Sequence, residues 1–258
     1  MTDGEKPLVY LILGAAGSGR RGVIADLCEG GFDAADALAV MLPAGEAEDP
    51  ADAKLPAVSR WTWSDGFILG TLPAEKNIVF FVTDGTRNPV DQIEVFKAWV
   101  EAQGGELARV ICVVNAQLAE KNPPLLAWFE ACIHFSDAVL FNRREGVANK
   151  WMSEFLEHFK KQYYPCVFEV VKAGHVKNPA LVLEPQARRM SHVFDEEVDL
   201  VFTNSEGEEI DEDEDTGEDG DEEIEAKPEE DPYFERRNGG RRVREIPDIA
   251  KFLPARTE

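Results

Sequence analysis

The sequence has little sulfur, little histidine, little positive charge and no long apolar run. Its 258 residues include four cysteines, four methionines and four histidines. Cys28, Cys112, Cys132 and Cys166 stand far apart, with no C-x-x-C pair. That spacing excludes a disulfide scaffold and a cysteine zinc site, and predicts reduced, buried thiols in a cytoplasmic protein. His134, His158, His175 and His192 form no H-E-x-x-H or H-x-E pair, so no histidine metal centre is expected. No G-x-S-x-G segment occurs, which removes support for a hydrolase triad. No stretch approaches the roughly 18 apolar residues of a membrane span. Residues 1–6 are polar and lack the charge, apolar run and small-residue site of a signal peptide, so no membrane partner is expected.

Positive charge is scarce as well. There are 27 Lys and Arg against 50 Asp and Glu, a net charge of -23. A whole surface built for nucleic acid or anionic lipid is thereby excluded. The charge is also uneven. Residues 205–231 hold 17 Asp/Glu and one Lys, whereas residues 232–258 hold seven Lys/Arg and four Asp/Glu. Like charges at that density repel, so 205–231 is expected to be a disordered acidic linker. Residues 232–258 read as an Arg-rich tail, in which Arg236, Arg237, Arg241, Arg242 and Arg244 surround Gly239-Gly240. Nucleic acid stays open as a partner for this tail alone, and its apolar ends suit a protein contact.

What remains, residues 1–204, carries the apolar pattern of one globular domain. The chain is 44% hydrophobic, enough for a core. Apolar runs at 8–13, 37–42, 78–82, 109–114, 138–141 and 166–171 alternate with helical patterns at 22–29, 90–102, 125–134, 150–162 and 180–190. Strands that are apolar throughout, alternating with helices, predict an α/β fold with a parallel sheet covered on both faces. Residues 43–56, rich in Pro, Gly and Asp, read as a loop. Trp61 and Trp63 share one face of a strand, and core or edge packing is the expected use of that face.

The first strand runs directly into Gly14-Ala15-Ala16-Gly17-Ser18-Gly19-Arg20-Arg21, which has the spacing of a phosphate-binding loop, G-x-x-x-x-G-K-[ST]. Small residues let backbone N–H groups face an anion, and the following helix adds partial positive charge. Gly14, Gly17, Ser18, Gly19, Arg20 and Arg21 are the candidate phosphate ligands. Arg20 stands where the motif has Lys; it keeps the charge but carries a bulkier planar fork. Arg21 stands where the motif has the Mg²⁺-binding hydroxyl and cannot ligate a cation.

Around this loop the chain resembles the CobW-type GTPases, relatives of the HypB and UreG maturation GTPases, over roughly residues 8–190. Residues 65–72 (Asp-Gly-Phe-Ile-Leu-Gly-Thr-Leu) resemble the family's N-G-C-x-C-C-T-L segment, and residues 82–89 (Val-Thr-Asp-Gly-Thr-Arg-Asn-Pro) resemble E-T-[TS]-G-x-x-D-P. Residues 113–116 resemble V-V-D-A, residues 136–145 resemble A-D-x-x-x-x-N-K-x-D, and residues 178–183 resemble D-P-x-L-L-L. The resemblance implies a P-loop fold and GTP or GDP as ligand, with Asn142 and Glu145 reading the base and Asp84 beside the phosphates.

The departures point away from catalysis. Phe67, Leu69 and Gly70 replace the three cysteines of the metal segment, and Val82 replaces the Walker-type Glu. The expectation is a degenerate CobW-like domain with weak or lost hydrolysis, no catalytic residue, no structural metal and no dependable Mg²⁺ site. It would act through contacts with a protein partner. Two alternatives are an active GTP-dependent metallochaperone and a nucleotide-independent scaffold that uses the acidic run and the Arg-rich tail.

Overall fold

In the computed structural model the described residues are 6–195, 200–203, 225–228 and 230–254. The chain divides into two units, Met1–Met190 with Glu245–Glu258, and Ser191–Arg244.

The larger unit is built on a nine-stranded sheet. In chain order its elements are β1 (Leu8–Leu13), α1 (Arg20–Gly31), β2 (Leu38–Pro43), a 3-10 turn (Pro50–Lys54), β3 (Val58–Ser64), β4 (Phe67–Leu69), β5 (Ile78–Val82) and α2 (Pro89–Ala102). They continue with β6 (Glu106–Asn115), α3 (Ala116–Lys121), a short 3-10 turn (Pro123–Leu125), α4 (Leu126–His134), β7 (Ala138–Asn142), α5 (Asn149–Lys161), β8 (Val167–Lys172), β9 (His175–Val176) and α6 (Pro179–Leu183).

The strand order is β4-β3-β2-β5-β1-β6-β7-β8-β9. Pairing is parallel from β3 to β8 and antiparallel only at the two short edge strands. This is the α/β architecture with a largely parallel sheet that the apolar runs predict. Connections leaving β1 run toward one edge and those leaving β6 toward the other. The carboxyl ends of these two strands therefore flank the crevice where open α/β sheets bind ligands.

Alternation along the central strands sends side chains to two cores. Tyr10, Ile12, Phe80, Val82, Ile111 and Val113 pack with Val23, Ile24 and Leu27 of α1. On the other face Phe81 lies 5.0 Å from Phe96 and 4.9 Å from both Trp61 and Trp99, ring centre to ring centre. Trp61 is thus a core residue, its indole N–H donating to the Val82 carbonyl at 2.9 Å. Burying such aromatic side chains stabilises the unit by about 2–3 kcal/mol each.

Two expectations need correction. Residues 180–190 do not form one helix: α6 stops at Leu183, and Glu184 is extended at ψ 121°. Pro185 follows, and a residue before proline is pushed out of the helical region. Residues 43–56 are not a plain loop, since an Asp49 capping box starts the Pro50–Lys54 turn.

In the smaller unit β10 (Leu200–Thr203) pairs antiparallel with β11 (Glu225–Pro228). The acidic run expected to be disordered lies mostly outside the described residues, and its stretch at 225–228 is the second of these strands. The Arg-rich segment folds back at Gly239-Gly240, with Arg236 bridged to Arg242. The Arg242 guanidinium sits 5.6 Å over the Phe234 ring, and that of Arg244 4.9 Å over Tyr233. Among the described residues no helix is long and apolar enough to cross a membrane.

Candidate functional site

The glycine loop leaves β1 through a passage only glycine fits. Gly14 has φ +136°, and a Cβ there would stand 2.5 Å from the Val113 carbonyl oxygen of β6. The loop is then pinned by two backbone bonds. Ala16 N–H donates to the Gly85 carbonyl at 2.9 Å and Ser18 N–H to the Ala15 carbonyl at 3.1 Å. Gly85 is the close-contact partner across the crevice. A Cβ on it would come within 2.6 Å of the Ala15 carbonyl carbon and nearer still to the Ala16 nitrogen.

Gly19, left-handed at φ 83°, caps α1 without a side-chain hydrogen bond, and no acidic residue stands in the first helical turn. The first two helical residues are Arg20 and Arg21. Two cations at the positive end of a helix dipole oppose helix formation. Both are also buried, at 4% and 6% exposure. A buried charge demands a partner.

The carboxylate partners come from residues 44–54, between β2 and β3. Arg20 Nη2 pairs with Glu46 Oε1, and Arg20 Nη1 donates to the Thr83 carbonyl at 2.5 Å. Arg21 Nη1 donates to both oxygens of Asp52, at 3.0 and 2.9 Å, while its Nη2 reaches Glu46 Oε2 at 3.4 Å. Gly85 N–H donates to Glu46 Oε1 at 3.1 Å. One carboxylate thus collects donors from α1 twice and from the turn after β5. Asp52 also accepts from Arg60 Nη2 at 3.4 Å and from the Asp49 N–H at 3.3 Å. The two buried arginines are matched by two carboxylates, and the half-buried Arg60 adds a third cation at the edge.

Glu46, Asp52 and Gly85 were not singled out from the sequence. A signal existed: two adjacent cations in a buried loop need carboxylates, and residues 46–52 hold Glu46, Glu48, Asp49 and Asp52.

The predicted site residues divide into two groups. Gly14, Gly17, Ser18, Gly19, Arg20 and Arg21 lie together at the crevice. Asn142, at the end of β7, joins them: its Nδ2 donates to the Ser18 carbonyl at 2.9 Å. The Ser18 hydroxyl is fully buried without a hydrogen-bond partner, 3.2 Å from where a Gly14 Cβ would stand, while Arg20 Cδ lies 3.3 Å from that same point.

Asp84 is close by but committed to its own turn. Its Oδ1 accepts from Thr86 N–H at 3.0 Å and Thr86 O–H at 2.7 Å, and its Oδ2 from Arg87 Nε at 3.0 Å. Gln92 holds the same residue's backbone, accepting from its N–H at 2.7 Å and donating to its carbonyl at 3.0 Å. Glu145 is exposed on the turn after β7, where its backbone carbonyl accepts from Gln117 Nε2 at 2.7 Å. The structure therefore brings Asn142 to the loop and leaves the Glu145 side chain in solvent.

Of the positions that match cysteines in the resemblance, Phe67 and Leu69 are exposed on β4, and Gly70 packs on Trp61. Among the described residues no cluster of three His, Cys, Asp or Glu side chains is placed to hold a metal ion. Burial pushes the Cys28 and Cys166 thiols up to about 12, so neither is a thiolate at neutral pH. Chemically, the crevice offers converging donors for an anion.

No protein-family model matches the chain, and no curated protein sequence matches it. Among solved structures it is similar to the hydrogenase maturation factor HypB of Archaeoglobus fulgidus, with a TM-score of 0.41 and 11% identity over 64% of this chain and 80% of that one. It is also similar to the Zn(II)-bound YjiA GTPase of E. coli, with a TM-score of 0.40 and 14% identity over 78% and 72%. A third is the signal recognition particle receptor FtsY of Elizabethkingia anophelis in complex with GDP, with a TM-score of 0.44 and 15% identity over 70% and 64%.

Proposed function

We propose that the larger unit is a GTP-binding-type P-loop domain that keeps the fold and the loop, has lost hydrolysis, and works through contacts with a protein partner. The observation that carries this is the pairing of both loop arginines with Glu46 and Asp52. In an active phosphate loop the cation at this point is held for the nucleotide, and a hydroxyl holds Mg²⁺. Here the cation is already satisfied, and the hydroxyl position carries an arginine bound to a carboxylate. The loop's backbone and the buried, unpartnered Ser18 hydroxyl suit a phosphate group; Arg21 does not suit Mg²⁺. If a nucleotide binds, Gly14 to Arg20 would hold its phosphates and Asn142 would lie toward its base.

The test is calorimetric titration with GTP, GDP and ATP, with and without Mg²⁺, alongside phosphate release. The expected result is weak heat that Mg²⁺ does not strengthen, and no turnover. Tight, Mg²⁺-dependent GTP binding with turnover would sink this reading in favour of an active GTPase.

The Arg-rich hairpin gives the scaffold reading a specific observation. Arg236, Arg237, Arg241 and Arg244 are exposed around a turn that backbone bonds hold in shape. An anionic protein surface is the partner this segment suits, by charge.

A further inference from the structure

We infer that Glu46 is an internal ligand: its carboxylate sits where a phosphate group of a bound molecule would sit, and a phosphate-bearing ligand enters only by expelling it. This rests on the reading of the loop as a phosphate site and adds what occupies that site and how it is vacated.

The donors that meet on Glu46 are those an oxyanion requires. They are the guanidiniums of Arg20 and Arg21 and the N–H of Gly85. Guanidinium groups recognise carboxylate and phosphate through the same fork of N–H donors. Gly85 stands against the loop backbone, so these donors line the crevice beside it. A carboxylate has two oxygens and a phosphate more. A buried, unpartnered polar group stands within the loop itself, the Ser18 hydroxyl, near the Gly14 backbone and the Arg20 side chain.

The segment carrying Glu46 is held to the rest of the site through few contacts. From Ala44 to Pro50 every residue is exposed except Glu46. Its side chain is only 10% exposed. The segment pairs with the sheet through Ala44 N–H to the Trp61 carbonyl, and past that point Glu46 and Asp52 are its side-chain anchors on α1. An anion that takes over Arg20 and Arg21 competes with both anchors. Residues 44–54 then lose their hold on the loop. The chemical class of the displacing ligand is a phosphate or diphosphate group, whether free or borne on a nucleoside.

The experiment compares the wild-type chain with Glu46→Gln by calorimetric titration of inorganic pyrophosphate. Gln keeps the size and can accept from Gly85, but removes the competing charge. The expected result is a gain of about tenfold or more in pyrophosphate affinity, lost again in Glu46→Gln/Arg20→Met. A purely structural ion pair predicts a lower melting temperature and no gain, and that result would overturn the inference. Should Glu46→Gln fail to fold, hydrogen–deuterium exchange of the wild-type chain decides. Pyrophosphate in large excess should speed exchange across residues 44–54, and unchanged exchange there overturns the inference. Titration with GDP beside pyrophosphate tells a nucleoside-borne diphosphate from a free one; equal affinities place recognition in the phosphates alone. Tight Mg²⁺-dependent GTP binding by the wild-type chain would remove the inactive reading and leave the displacement result standing. An unchanged Glu46→Gln isotherm would do the reverse.

Discussion

The two ends of the crevice, which we propose as the phosphate end and the base end of a nucleotide site, use their polar groups in opposite ways. At the phosphate end the buried charges are spent within the chain: Arg20 and Arg21 on Glu46 and Asp52, and Asp84 on Thr86 and Arg87 of its own turn. At the base end Asn142 makes one bond to the loop, and Arg143 and Glu145 are exposed. The structural constraint lies at the glycine loop. The phosphate end is packed so closely that two adjacent buried cations require two carboxylates in fixed places. The base end could change with little effect on folding.

The sharpest way to break this contrast is Gly85→Ala. A methyl group there meets loop backbone on two atoms, neither of which can rotate away. We expect a loss of about 3 kcal/mol from overpacking, read from the shift in the urea unfolding midpoint. A loss below about 1 kcal/mol would mean that the phosphate end is looser than described.

Asp52→Asn comes next. It removes the carboxylate that binds Arg21 through both oxygens, with side-chain exposures of 7% and 20%. A fully buried pair broken on one side costs about 3–5 kcal/mol. Partial exposure of Asp52 reduces the expected loss to about 2 kcal/mol. At the base end Asn142→Ala removes the bond to Ser18 and should cost about 1 kcal/mol.

Gly146, at φ +80° with open space around its Cβ position, is the control for that end. Gly146→Ala should cost about 1 kcal/mol of backbone strain and leave pyrophosphate titrations unchanged. An effect as large as that of Gly85→Ala would erase the contrast between the two ends.

Smallest at neutral pH is the effect of the thiols. Burial raises Cys28 and Cys166 from 9.0 to about 12. Above pH 9 the unfolded chain releases these protons while the folded chain keeps them, so stability falls as pH rises from about 9 toward 12. Tyr10, raised from 10.0 to about 12 chiefly by burial, acts in the same direction from about pH 10 upward. Melting temperatures measured from pH 8 to pH 11 should decline. A rise would contradict the burial of all three groups.

Much of the fold was legible because fully buried parallel strands are apolar throughout. The strand at 78–82 matches β5 residue for residue, and 138–141 falls one residue short of β7. The edge hairpin of β3 and β4 was less legible. Its residues alternate only partly, and Phe67 and Leu69 point into solvent. The end of α6 is hidden by apolar spacing that continues past Leu183, and Pro185 is the residue that marks it.

The site was half legible. Spacing alone marked Gly14 to Arg21, since a strand-to-helix turn made of small residues announces itself. The resemblance brought in Asn142, which the fold carries to the Ser18 carbonyl 124 positions away in sequence. Nothing local marked Glu46 as different from Glu48, its neighbour two positions on. The first is mostly buried against two arginines, and the second is exposed.

The class of fold, the place of the glycine loop and the two cations at its end are all legible in the chain. These follow from periodicity and from residue types at adjacent positions. Only the tertiary structure decided what those cations face. The register of β2 and β3 beside β5 sets where residues 44–54 pass over α1, and that register depends on pairings across the whole sheet. Whether a buried arginine waits for a ligand or already holds one is a property of neighbours distant in the chain.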